Sequence, residues 1–241
     1  MKTILSFLPF ICFSLVFYSC ETKETVVPSE KITTQQETFT DYHSIDASNA
    51  FTVYVSFSET EEKIEIEANE NVHPYIIVEK VSDKLIIKLK DNISIKGSAT
   101  LHAYITTKEV IDYSASGASR FLLLDKLSGK DVGIWLSGAS IFNAYLDTES
   151  VSADLSGASV VDLAGSSDLL QVSASGASTV RSYAFIVKDL TINLSGASNA
   201  YLTVNVKMDV VASGASNLYY KGTAVINSQD LSGGSNIQKM D

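Results

Sequence analysis

From about residue 110 onward, apolar and polar residues alternate with a period of two, and the alternation restarts roughly every 19 residues. Counting back from a series of glycines, the sixth, fourth and second positions read Ile111/Tyr113/Ala115, Val132/Ile134/Leu136 and Val151/Ala153/Leu155. The next three units give Leu170/Val172/Ala174, Leu190/Ile192/Leu194 and Met208/Val210/Ala212. A period of two predicts a β-strand with one buried face. The fourth position after each glycine is also apolar: Phe121, Phe142, Val161, Val180, Ala200 and Leu218. Each unit therefore carries strands on both sides of a glycine corner. The glycines are Gly117, Gly138, Gly157, Gly176, Gly196, Gly214 and Gly233, spaced by 21, 19, 19, 20, 18 and 19 residues. A fixed period of this length predicts a solenoid, whose coils bury their apolar faces only by stacking. At ~3.3 Å per residue such a coil measures roughly 60 Å round, which leaves room for a side-chain core but not for a helix.

The corners are near-copies of Ser-Gly-Ala-Ser, the last reading Ser232-Gly233-Gly234-Ser235. Glycine suits a sharp corner because it adopts a positive φ without a Cβ penalty. Ala118, Ala139, Ala158, Ala177, Ala197 and Ala215 are expected to point into the tight vertex, with the serines forming hydroxyl ladders along the stack. A catalytic serine is not expected. Seven equivalent serines cannot all be activated, and no histidine lies between 103 and 241.

Upstream, Leu101, Ala103 and Ile105 keep the alternation. Gly97 stands 20 residues before Gly117, which predicts one more coil directly beneath it. The polar Asn227 and Gln229 in the last coil suit a capping rung. Before residue 93 the pattern shifts to longer strands with hairpin signals, among them Phe51 to Phe57, Lys63 to Glu67, Ile76 to Val81 and Leu85 to Leu89. Ala47-Ser48-Asn49-Ala50 also echoes Ala197-Ser198-Asn199-Ala200. The organisation expected is a signal peptide over 1–19, a lipidated polar tether over 20–38, an N-terminal β cap or set of elongated coils over 39–92, continuous with the solenoid, and the β-helix with Ser-Gly-Ala-Ser corners over 93–241.

The leader itself is Lys2 followed by an apolar stretch from Ile4 to Tyr18. That is shorter than the ~20 residues of a comfortable membrane span. It ends Phe17-Tyr18-Ser19-Cys20, and a small residue before cysteine resembles a bacterial lipobox, with Phe17 in place of the usual leucine. Cys20 is accordingly the expected lipidation site, and the membrane the partner of that anchor. Cys12 lies in the leader, so the mature fold has no disulfide. Cleavage before Cys20 leaves 17 basic and 28 acidic side chains, a net charge of −11. Such a surface repels nucleic acid.

Little in the sequence points to chemistry. His43, His73 and His102 have no second ligand at metal spacing. Glu65 and Glu67 alternate with Ile64 and Ile66 as a solvated strand face, and Glu59, Glu61 and Glu62 beside them lack a calcium-loop pattern. No metal, cofactor or catalytic residue is assigned. Arg120 and Arg181, the two arginines, fall at different offsets in their repeats. The outward positions five and seven residues after each glycine are more informative. They hold Leu122, Leu124, Tyr145, Arg181, Tyr183, Tyr201 and Tyr219. Tyr201 and Tyr219 share one offset in adjacent coils and should stack. Tyr145, Arg181, Tyr183, Tyr201 and Tyr219 form the candidate binding face, since exposed aromatic rows suit sugar rings or a partner protein. Trp135 lies on the other strand and is a weaker candidate.

The repeated corners, the Gly97 coil and the upstream strand pair resemble the putative auto-transporter adhesin, head GIN domain family, over roughly residues 40 to 235. The resemblance implies an all-β fold, a right-handed single-stranded parallel β-helix, in proteins secreted or lipid-anchored to the bacterial envelope. Right-handedness also follows from the chirality of parallel crossovers. No functional residue carries over, because the shared motif is structural. The expected function is a non-enzymatic, lipid-anchored envelope protein, outer-membrane and facing periplasm or surface, that binds a glycan or a protein. A scaffolding lipoprotein is the alternative, and a polysaccharide-active enzyme a more distant one.

Overall fold

The computed structural model describes residues 23–241. The leader over 1–19, Cys12 and Cys20 lie outside the described residues. Strands and turns make up the described chain, apart from one short 3-10 turn at His73–Tyr75. The alternating segments pair in parallel with their counterparts one repeat away. Phe142 lies beside Phe121 and Val161, and Ala153 beside Ile134 and Val172. This is a parallel β-solenoid of about 19 residues per coil. The strands Ile141–Leu155, Val160–Ala174, Thr179–Leu194 and Asn199–Ala212 run almost from corner to corner, bending within themselves. Columns such as Phe121, Phe142, Val161, Val180, Ala200 and Leu218 are fully or almost fully buried and form the core.

The corners invert one expectation. The alanines face solvent: Ala139, Ala158, Ala177, Ala197 and Ala215 are all exposed. The second serine of each motif points inward instead, and Ser140, Ser159, Ser178, Ser198 and Ser216 have no exposed surface. A buried hydroxyl needs a partner. Each donates to the carbonyl of the first serine three residues back, as Ser159 Oγ does to Ser156 O at 2.8 Å. The alanine contributes its backbone, with Ala158 N donating to Gly138 O at 2.7 Å and Ala177 N to Gly157 O at 2.7 Å. The corner glycines take positive φ as expected. A second constraint comes from stacking, because a Cβ on Gly157 would sit well inside contact distance of the Gly138 carbonyl oxygen.

Coil order in space departs from coil order in sequence. Strand Asp112–Ala115 pairs with Ser44–Ala47, and Arg120–Leu123 with Thr52–Phe57. The corner beneath Gly117 is therefore Ala47-Ser48-Asn49-Ala50, with Asn49 and Ala50 at φ of 61° and 66°. Asparagine tolerates that left-handed conformation better than most residues. Phe51, fully buried, fills the place of the inward serine. The coil containing Gly97 lies one rung further out: Lys84–Leu89 pairs with Ser44–Ala47, and Leu101–Thr107 with Thr52–Phe57. Gly97 is thus two rungs from Gly117, not one. Residues 44–57 form a rung of the solenoid and residues 84–107 another, so coils continuous with the β-helix begin before residue 93.

The antiparallel strands Ile32–Glu37, Lys63–Asn69 and Ile76–Val81 cover the N-terminal end. The tether expected over 20–38 is corrected by two of its segments. Glu24–Val26 pairs with Ile93–Ile95, and Ile32–Glu37 pairs with Lys63–Asn69. Asn69 and Asn71 strap the intervening turn, donating to Ser29 O at 2.7 Å and Val27 O at 2.8 Å. These strands looked like linker because edge strands carry polar residues, which discourage further pairing. At the other end the strand bulges at Asn227, so Ile226 takes the place beside Met208, and Asn227 caps Asp209 instead.

Candidate binding face

The outward column five residues past the corner runs the length of the solenoid. From the N-terminal end it reads Glu65, Tyr104, Tyr54, Leu122, Asn143, Asp162, Arg181, Tyr201, Tyr219 and Gln238. Parallel in-register pairing sets neighbours in a column about 4.8 Å apart, so flat side chains stack. Tyr201 and Tyr219 do so, with ring centroids 5.0 Å apart and planes 11° from parallel. Tyr183 joins them edge-on, 5.8 Å from Tyr201 at 77°. The register between the Thr179–Leu194 and Asn199–Ala212 strands slips between Ser182 and Ile186. The resulting bulge re-aims Tyr183 over the next rung. Thr203 Oγ1 holds it there through its carbonyl at 2.9 Å.

Charge rims the trio. The Lys221 ammonium lies 5.4 Å from the Tyr183 ring centroid, within reach of its π face. Arg181 borders the ridge, its guanidinium 3.9 Å from the Asp162 carboxylate, and both side chains are well exposed. Arg181, Ser182, Tyr183 and Tyr201 line an open depression of about 340 Å³. Burial pushes the Tyr183 phenol up from its ordinary pKa, and the neighbouring Tyr201 and Tyr219 add to this. Arg181 and Lys221 thus place two basic side chains along the ridge, in a chain of strongly negative charge.

Four of the five residues picked from sequence thus come together, and Tyr145 does not. It lies on the coil of Gly138 beside Leu122 and Leu124, its ring against Gly165, with the coil carrying Asp162 between it and the trio. Arg120 stands in a different column from Arg181, three residues past its corner, opposite Thr52 and Ile141. Two features escaped sequence reasoning. Lys221 could not be placed without the bulge at Tyr183. A second aromatic group, Tyr54 stacked on Tyr104 at 5.0 Å, occupies the same column at the N-terminal end, and out-of-order coils hid it. His102 there pairs with Glu67 at 2.9 Å, and buried His73 lies 3.0 Å from Thr33 O. Glu65 is paired with Lys63 at 2.8 Å. Among the described residues no three histidine, cysteine or carboxylate side chains gather as a metal site.

The sequence matches the model of the putative auto-transporter adhesin, head GIN domain, family over residues 41–224. The chain belongs to this family. Among solved structures, a putative adhesin from Bacteroides fragilis superposes with a TM-score of 0.81 at 18% identity, covering 89% of this chain and 100% of that one. A protein from Parabacteroides distasonis described as a putative lipid binding protein gives 0.77 at 14%, covering 90% and 100%. A putative adhesin from Parabacteroides merdae gives 0.71 at 20%, covering 90% and 99%. At such identities the likeness is one of fold. No curated protein matches this chain in sequence. The family match begins within the turn before Ser44–Ala47 and ends near Ala224, so it takes in the out-of-order coils as well as the repeated corners.

Proposed function

We propose that this GIN-domain chain is a lipid-anchored, non-enzymatic envelope protein whose solenoid presents the Tyr183/Tyr201/Tyr219 ridge, with Arg181 and Lys221, to a glycan or protein ligand. The observation that carries the reading is the continuity of that ridge across three successive rungs. Three aromatic rings and two cations on a rigid sheet offer broad contact at little entropic cost to the protein. Family membership and the adhesin-like solved structures support an adhesive role. The anchor is Cys20. No helix among the described residues is long and apolar enough to cross a membrane.

Glycan arrays and pull-downs with the mature protein test the ligand class. Specific retention is expected, and loss of it on Tyr→Ser substitution identifies the ridge. For the anchor, Cys20→Ser is expected to release the protein from the membrane fraction and abolish labelling by a fatty-acid analogue. Unchanged partition, with no label on the parent, contradicts it. A scaffolding role is the second reading, favoured by the parallel stack of Tyr201 on Tyr219, because cross-strand aromatic pairs also stabilise neighbouring rungs.

A further inference from the structure

The strand face before the corner carries a different surface. Its outward positions, three and five residues ahead of each glycine, hold no lysine or arginine from the coil of Gly117 to that of Gly214. Most are short polar residues such as Ser114, Asp154, Ser173 and Gln171; Gly133, Val211 and Trp135 are not. Trp135, 43% exposed, rises among them. Its six-membered ring lies directly over the Cα of Gly133, where any Cβ would collide with Cη2 and Cζ3, and Asp112 Oδ1 sits against the same point. Gly133 thereby leaves the space that the indole occupies against the strand, while much of Trp135 stays open to solvent. Asp154 is Trp135's in-register neighbour on the next rung, and Ser114 on the previous one. Depressions of about 350 and 280 Å³ flank the indole, one towards Asp154 and Ser173, the other towards Ser44, Asp83, Lys84 and Asp112.

We infer that this face is a binding platform for a neutral oligosaccharide, one pyranose ring lying on Trp135 and its neighbours in the two flanking depressions. The C–H face of a pyranose is weakly positive and meets the negative π face of an indole. Sugar hydroxyls on either side find carboxylate acceptors in Asp112 and Asp154 and hydroxyl partners in Ser114 and Ser173, the few convergent polar groups that fix orientation in such a site. Asp83, Asp112 and Asp154 outnumber the one cation of the two depressions, Lys84, so the surface repels uronic acids and other anionic glycans. A protein hot spot is a poorer fit, because the side chains of Leu136 and Leu155 point into the core and the depression beside the indole is rimmed by Ser114, Ser137, Asp154 and Ser173. The platform lies on a different strand face from the tyrosine ridge and stands whether or not that ridge binds.

Trp135 is the only tryptophan of the chain, so its fluorescence reports this site alone. Titration of the mature protein with cellohexaose, mannohexaose, hexagalacturonate and hexalysine is the test. A saturable spectral change with at least one neutral hexasaccharide is expected, and binding of hexagalacturonate at least tenfold weaker. By calorimetry, Trp135→Ala and Asp154→Arg should each weaken the neutral sugar at least tenfold. Asp154 is exposed, so its variant keeps the test open if Trp135→Ala does not fold. The inference is overturned if neither neutral sugar saturates the signal, if hexalysine binds and the sugars do not, or if folded Trp135→Ala and Asp154→Arg variants bind the sugar as the parent does. Failure with both sugars and a lower melting temperature for Trp135→Ala would mean that the indole only covers Gly133.

Discussion

Substituting Gly157 by alanine tests the corner more sharply than any other single change. The new methyl group meets two costs. Gly157 stands at φ of 73°, and a left-handed conformation costs a non-glycine residue about 1–2 kcal/mol. The methyl also collides with the backbone carbonyl of Gly138, which accepts the 2.7 Å bond from Ala158 N. Backbone cannot swing aside as a side chain would, so that bond is lost or stretched, for about 0.5–1.5 kcal/mol more. The sum is about 1.5–3.5 kcal/mol. For a chain of this size each kcal/mol lowers the melting temperature by about 2–4 °C. Gly97 is an internal control: its φ is 104°, yet no atom lies within 4 Å of where its Cβ would stand. Gly97→Ala should show only the conformational cost. Ser159→Ala removes one buried hydrogen bond to Ser156 O, about 1 kcal/mol. Exposed Ala158→Leu should fall within about 0.5 kcal/mol of the parent. Melting by circular dichroism should therefore rank Gly157→Ala below Gly97→Ala and Ser159→Ala below Ala158→Leu. If Ala158→Leu melts as low as Ser159→Ala, the inward serine is wrong. If Gly157→Ala and Gly97→Ala melt together, stacked contact does not constrain the corner.

Two further outcomes are expected. Deleting residues 23–38 should lower the melting temperature and increase proteolysis within Lys63–Asn69, because Ile32–Glu37 covers that strand. A true tether could be removed without effect on either. Burial raises the Asp46 carboxyl above its ordinary pKa, only partly offset by Lys84 and Lys88. The native state then holds that proton to higher pH than the unfolded chain, so the group opposes folding fully above its raised pKa, and the penalty fades as pH falls through that value towards the unfolded carboxyl's ordinary pKa of about 4. Asp46→Asn should accordingly be more stable than the parent at pH 7, with the gain shrinking towards pH 3 in denaturant titrations. A gain that grows on acidification would contradict the assignment.

The corner repeat made the solenoid legible because it recurs at nearly constant spacing and its strands alternate without interruption. Coil order was not legible. Spacing alone assumes that successive repeats stack in sequence, whereas Asn49 stands in for glycine and residues 44–57 slip between two later coils. Composition also misplaced the corner: alanine is the more apolar neighbour of glycine, but a serine that can satisfy its own hydroxyl three residues back fits the inward position. The ridge was half legible. Tyr201 and Tyr219 share an offset, and their stack followed directly. Lys221 reaches Tyr183 only through a bulge, which no periodic count can foresee. Trp135 looked marginal because it stands on the other strand from the tyrosines, and its place against Gly133, two residues back, shows only in three dimensions.

The central claim is that the tyrosine ridge is a binding surface and not merely a brace between rungs. The direct measurement is attachment of the mature protein to cells and extracellular matrix, compared with a Tyr183→Ser/Tyr201→Ser/Tyr219→Ser variant whose melting curve is recorded in parallel. Aromatic pairs contribute roughly 0.5–1.5 kcal/mol each beyond buried area, so removing three contacts from a ligand should weaken binding at least tenfold. The account predicts that loss in a variant that still melts cooperatively near the parent. Parent-level attachment by the folded variant would contradict it, and so would a variant that no longer folds while Tyr183→Phe/Tyr201→Phe/Tyr219→Phe folds but attaches no better than a bare surface control with the parent equally inert.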